Sequence, residues 1–221
     1  MEKLKYLKYI KIFCMLLLTY VIIAGLIFDV PSLPILNEAI RVLYFHVPMW
    51  FTMIALLMIS SVNSYYFISK KNIIYDTHSY TYVSVGVFFG CLGILSGMIW
   101  AKFTWGTFWT NDPKLNGSAL VLIIYFSYFI LRSSITDEIK KAKISSIYNI
   151  FAFTMLIPLI FILPRMTDSL HPGNGGNPGF NVYDMNSQLR IVFYPAVVGF
   201  IFLGLWIVNI KLRVNLLTKK Y

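Results

Sequence analysis

The stretch Trp100-Ala-Lys-Phe-Thr-Trp105-Gly106-Thr107-Phe108-Trp109-Thr-Asn-Asp112-Pro-Lys114 places three of the chain's five tryptophans within ten residues, beside an aspartate and a lysine. Indoles at that density suit a flat, largely apolar, partly charged ligand. Of the three histidines, His46 lies in Arg41-Val-Leu-Tyr-Phe-His46-Val-Pro48 and His171 in Ser169-Leu-His171-Pro172-Gly173, with His78 apart from both. Imidazole is a standard axial ligand of haem iron. Two imidazoles meeting beside such a shelf would suit a haem, with Trp100, Trp105 and Trp109 against the macrocycle and Arg41 and Lys114 on its propionates. That reading requires the layout of the chain to bring His46 and His171 to one face.

The layout follows from composition. The 221 residues are 58% hydrophobic and 13% charged, against about 25% charged in a soluble domain. Apolar runs at roughly 12–28, 45–69, 79–100, 118–132, 144–163 and 190–210 are candidate spans, since a helix needs about 20 residues to cross a hydrocarbon core. The fourth is short and extends most easily through Ser133, Ser134 and Ile135. The first begins late and lacks a small-residue cleavage site, so it reads as a retained helix. The expectation is an all-α polytopic membrane protein: one domain, 1–221, of six transmembrane helices.

Charge orients the bundle. With both termini inside, all but five of the nineteen Lys and Arg fall in inner segments, and Arg41, Lys102, Lys114, Arg165 and Arg190 lie outside. The positive-inside rule then makes both termini cytoplasmic. Acidic residues balance the outer cations, so the net charge of +10 sits on the inner face and reports topology and anionic lipid, not a nucleic-acid partner. The outer loops become about 29–44, 101–117 and 164–189. Pro31 and Pro34 interrupt the first, leaving Ile35–Leu43 as a short interfacial helix. His46 and His171 then share the outer side, and His78 lies inside.

Several chemistries are disfavoured. Cys14 and Cys91 fall in apolar runs, with no CxxC or CxxCH to support redox chemistry or covalent haem attachment. No Walker-type phosphate loop occurs, and the inner connections, 70–78 and about 133–143, are too short for a nucleotide-binding domain. Any ATP would be hydrolysed by another subunit. No nucleophile elbow of the GxSxG type is present. Zinc wants three or four ligands, which two histidines do not supply. Ionisable groups within the spans, which mark coupled transport, are scarce. The tryptophans also fit an interfacial aromatic belt, and from composition alone both readings stand.

These residues carry a resemblance. Trp105-Gly106-x-x-Trp109-x-x-Asp112-x-Lys114, with Trp100 five positions ahead, resembles the tryptophan-rich "WWD" signature of haem-handling membrane proteins. Arg41-x-x-x-x-His46-Val47-Pro48, His171 in its Pro/Gly loop and the six spans are similar to the haem exporter protein C branch of that superfamily. Phe108, Asn111 and Lys114 depart from the usual Trp, Trp and Arg. The resemblance implies a haem-handling protein of cytochrome c biogenesis in a bacterial cytoplasmic membrane, not an enzyme. It implies haem b held non-covalently by His46 and His171 as axial ligands. Trp100, Trp105, Trp109 and Asp112 would form the platform for haem and chaperone, Gly106 would allow close backbone approach, and Arg41 and Lys114 would meet propionates. The implied partners are a periplasmic haem chaperone, the ATPase and membrane subunits of an ABC transporter, and a small membrane accessory subunit. The competing assignments are a system II cytochrome c haem lyase subunit and a haem permease.

Overall fold

The structure is a computed structural model and describes residues 2–31, 36–171 and 185–218, with side chains from residue 8. Every described element is helical: α1 (Glu2–Ile27), a 3-10 turn (Asn37–Val42), α2 (Leu43–Lys70), α3 (Ile73–Trp105), α4 (Pro113–Ser133), α5 (Glu138–Ile157), a π turn (Pro158–Ile162), α6 (Leu163–Met166) and α7 (Ser187–Thr218). α5, the π turn and α6 run on as one rod, so six segments among the described residues are long and apolar enough to cross a membrane. An even number of crossings returns the end of α7 to the side where α1 begins.

Each span is longer than its apolar run, and polar capping side chains set the starts of α3, α4 and α5. The Asn72 side chain accepts from Ile74 N–H and starts α3, while Asp137 accepts from Lys140 N–H and starts α5. The fourth span lengthens at the opposite end from the one expected. Asp112 caps α4, with Pro113 in its first turn, where a missing N–H costs nothing. The connections expected on the inner side shrink to 71–72 and 134–137. The interfacial helix is the 3-10 turn Asn37–Val42, shorter than Ile35–Leu43. Pro34 and the Pro/Gly-rich 172–184 lie outside the described residues.

α2 and α3 pack antiparallel along a stripe of glycines. A Cβ built on Gly86 would meet Leu57, on Gly90 Met53, on Gly93 Trp50, and on Gly97 His46, each at 3.2 Å or less. Small residues let membrane helices approach closely where no hydrophobic effect drives them together. Behind this seam Met53, Leu56, Val83, Tyr125 and Leu156 form a fully buried core. A second cluster joins Val21 of α1, Tyr44 of α2 and Phe193 of α7. Cys14 and Cys91 are both free.

At the end of the bundle away from the tryptophans, Arg132 of α4 grips Asp76 of α3 through two hydrogen bonds of 2.8 and 2.6 Å. The guanidinium also lies 4.7 Å from the Tyr80 ring centroid. Removing one partner of a buried pair strands the other, at a cost of about 3–5 kcal/mol. Asp76→Ala is therefore expected to lower the melting temperature in detergent markedly. An unchanged melting curve would show that the pair does not hold α3 to α4.

Candidate functional site

His46 and His171 line the same cavity, of about 430 Å³, with Trp50, Trp100, Trp105 and Lys114. That volume falls within the roughly 300–1,000 Å³ typical of small-molecule and cofactor clefts. The remaining wall is largely aliphatic and aromatic, including Leu43, Val47, Phe51 and Ile54 of α2 and Ile160 and Phe161 of the π turn.

His46 occupies the first turn of α2 and is 7% exposed. Its Nδ1 lies 3.0 Å from Ser96 Oγ. That hydroxyl has one proton, and it donates to Leu92 O at 2.8 Å or Gly93 O at 3.0 Å. Ser96 therefore accepts from His46, so Nδ1 carries the imidazole proton and Nε2 the lone pair. The ring stands edge-on to Trp100 and Trp50, with centroids 5.8 and 6.5 Å away. It rests on Gly97, where a Cβ would come within 2.7 Å of the ring carbon Cε1. Gly97→Ala is expected to displace His46 while leaving α3 helical. The measurement is the visible spectrum of added haemin in folded protein, and a wild-type spectrum would show that the seat is not constraining.

His171 is braced by a carboxylate. Asp112, its side chain fully buried, accepts Lys114 N–H at 2.9 Å and Leu115 N–H at 3.2 Å as the cap of α4. It also accepts the Ser169 hydroxyl at 2.8 Å and Leu170 N–H at 2.7 Å. His171 Nδ1 lies 2.9 Å from its Oδ1. Burial opposes the carboxyl's charge, but the hydrogen bonds it accepts from His171, Leu170 and Ser169 hold Asp112 well below the usual carboxylate range. An ionised carboxylate only accepts, so His171 Nδ1 is the donor and Nε2 again remains for a ligand. A second partner on the non-ligating nitrogen is the usual arrangement at metal-binding histidines. Trp105 stands edge-on to the His171 ring, with centroids 5.1 Å apart.

The expected site therefore divides. His46, His171, Trp100, Trp105 and Lys114 come together around the cavity. Trp109 does not. It is 41% exposed, and its Nε1 donates to Asn116 Oδ1 in the short loop between α3 and α4. Phe103 and Phe108 are exposed as well. Asp112 is no part of the cavity wall but the support behind His171. Gly106 terminates α3 in the left-handed conformation, φ 81°, and nothing lies near where its Cβ would stand, so helix termination explains it. Arg41 lies outside the cavity. It donates to Gly25 O and Phe28 O at the end of α1 and pairs with Glu38, so it ties α1 to the 3-10 turn. His78 sits about 40 Å along α3 from Trp105 at 1.5 Å per residue, remote from the cavity. Trp100 and Trp105 belong to α3 rather than to a loop, which reduces the tryptophan loop from 101–117 to 106–112.

Four participants escaped the sequence reading: Trp50, Ser96, Gly97 and Arg165. Trp50 lies one helical turn beyond His46, and the 4-3-4 spacing of Gly86, Gly90, Gly93 and Gly97 marks the face on which both ride. Pro158 and Pro164 were the signal for the irregular turn ahead of Arg165. Among the described residues no cluster of three or more His, Cys, Asp and Glu could hold a metal ion. Two imidazoles with free lone pairs, an apolar wall and a flanking cation fit an iron that arrives inside a porphyrin.

The sequence pattern of the Heme exporter protein C family matches residues 3–221. Heme exporter protein C of Haemophilus influenzae is 25% identical over 133 residues, covering 60% of this chain and 53% of that protein. Its counterpart in Paracoccus denitrificans is 20% identical over 182 residues, covering 81% and 74%. A putative cytochrome c biosynthesis ccmC-like mitochondrial protein of Arabidopsis thaliana is 28% identical over 144 residues, covering 65% and 54%. The chain spans about half the length of the first curated relatives it matches. With the match running along essentially the whole chain, and with six spans and a paired-histidine cavity of the kind described, this protein belongs to the Heme exporter protein C family.

Proposed function

We propose that the chain holds haem b, non-covalently, between His46 and His171 on the extracytoplasmic side of a bacterial cytoplasmic membrane, and hands it to a periplasmic haem chaperone for cytochrome c biogenesis. The ATPase and membrane subunits of an ABC transporter and a small membrane accessory subunit would work with it. One observation carries the reading: both histidines border one apolar cavity, and each has Nδ1 already committed, to Ser96 and to Asp112.

Haem is cargo here, and the chain's part is to bind and release it. Trp50 and Trp100 pack against His46, and Trp105 against His171, limiting how each ring can turn. Lys114, at the start of α4, brings a cation to a wall that is otherwise mostly apolar. Phe103, Phe108 and Trp109, exposed outside the cavity, form the surface on which a receiving protein would settle.

The test is transfer. Haem-loaded protein mixed with a purified periplasmic haem chaperone should lose its Soret absorbance to the chaperone, and Trp105→Ala with Asp112→Ala should cut that transfer several-fold. Failure of the wild type to give up haem would overturn delivery. Full transfer by the double variant would remove the tryptophan wall from it.

A further inference from the structure

The cavity carries a second cation. Arg165 lies in α6, the short helix that follows the π turn Pro158–Ile162, and lines the cavity with Lys114, Ser169 and His171. Its placement follows from the backbone. α5 buries Asn149, Ala152 and Leu156 against the core, and the π turn then adds a residue to one helical turn. One residue rotates the following face by about 100°. After that rotation Ile160, Phe161, Pro164 and Arg165 fall together on the cavity wall. Pro158 and Pro164 each lack the N–H that a regular ladder would use at their positions. Gly117 of α4 keeps the turn close, since a Cβ there would collide with the carbonyl oxygen of Leu159. π turns inside α-helices often mark functional sites, and here the turn aims an arginine.

We propose that Arg165 reads a carboxylate of the bound tetrapyrrole, supplying the planar two-pronged donor that Lys114 lacks. The inference rests on the haem reading of the cavity. Lysine offers a point charge, whereas guanidinium meets a carboxylate through two parallel hydrogen bonds. Arg165 is exposed and lines the cavity, a setting in which a long cationic side chain can cover apolar wall with its stem and keep its head in water. A porphyrin with its ring among apolar and indole side chains and its acidic edge toward this rim satisfies both ends. The ligand class is thus narrower than metalloporphyrin: it bears at least one free propionate.

The experiment compares ferric protoporphyrin IX with its dimethyl ester, in which the propionates are uncharged, by spectral titration of full-length protein in detergent. Wild type is expected to prefer the free acid by roughly tenfold, the scale of one charge-assisted contact. Arg165→Gln should abolish most of that preference by weakening the acid alone, with a spectrum still six-coordinate and low-spin. Arg165→Lys, which keeps the charge and guards against misfolding, should restore only part of it. An unchanged preference in Arg165→Gln, or equal weakening of acid and ester, would overturn the assignment and leave the haem reading standing. A wild type that binds neither porphyrin in low-spin form would instead sink the haem reading, and this inference with it.

Discussion

Alanine at His171 is expected to convert a six-coordinate, low-spin haem spectrum into a five-coordinate, high-spin one, and alanine at His46 to do the same, while His78→Ala leaves it untouched. The three imidazoles are chemically alike, so position alone separates the outcomes. His46 and His171 border one cavity, whereas His78 stands near the other end of α3. Losing one axial ligand leaves the porphyrin's apolar contacts in place, so haem should still copurify with each single variant at reduced occupancy. The double variant should lose it almost entirely. Absorbance of protein purified from haem-replete cells gives the answer, and unchanged spectra in both outer-histidine variants would rule out this ligation.

Asp112→Asn should weaken haem binding by about 10–100-fold, the usual consequence of losing a partner behind a metal-binding histidine, without shortening α4. Asparagine caps helices about as well as aspartate, so the start of the helix survives. With its oxygen kept on the cap, where His171 also bonds, its amide presents N–H groups where Oδ2 now accepts from Ser169 and Leu170. Donor would face donor, and the imidazole would lose its ionised partner. The pH behaviour follows from the carboxyl being held below its ordinary range. A depressed folded value means that the brace is complete above the unfolded value and fails only as pH falls toward the folded one. Between pH 8 and 5 the Asp112 carboxyl should therefore stay ionised. Infrared difference spectra of wild type against Asp112→Asn at several pH values check this, and a protonated-carboxyl band appearing across that window would mean that Asp112 titrates there and is not the fixed brace.

The spans were legible because apolar runs of membrane length leave little choice of fold. Their ends were less so. Asp112-Pro113 is an ordinary helix-start signal, but it lies inside a stretch whose tryptophans suggested an open loop. Trp100 and Trp105 continue the apolar register of α3 and become wall, while Trp109, past the helix-ending Gly106, is left outside. The histidine pair could be read from topology alone, since the start of the second span and the connection after the fifth fall at one end. The role of Asp112 could not, because its partners Ser169 and His171 lie 57 and 59 residues away in sequence, and only folding shows that a helix cap and a histidine brace are one carboxylate. Arg41 misled for a related reason. An outer arginine near an expected haem suggests a propionate, but the nearest acceptors are the unpaired carbonyls that end α1, and a helix always leaves such groups to be satisfied. The glycine stripe on α3 was readable by spacing, yet what it seats, His46 above all, depends on the antiparallel pairing with α2.

On this reading two imidazoles grip one iron across a single cavity. Near-infrared magnetic circular dichroism of the ferric, haem-loaded protein tests it most directly, because the charge-transfer band of low-spin haem reports the pair of axial ligands. A bis-imidazole band that disappears in both His46→Ala and His171→Ala is the predicted result. A high-spin haem in the wild type, or a band belonging to any other ligand pair, would contradict it.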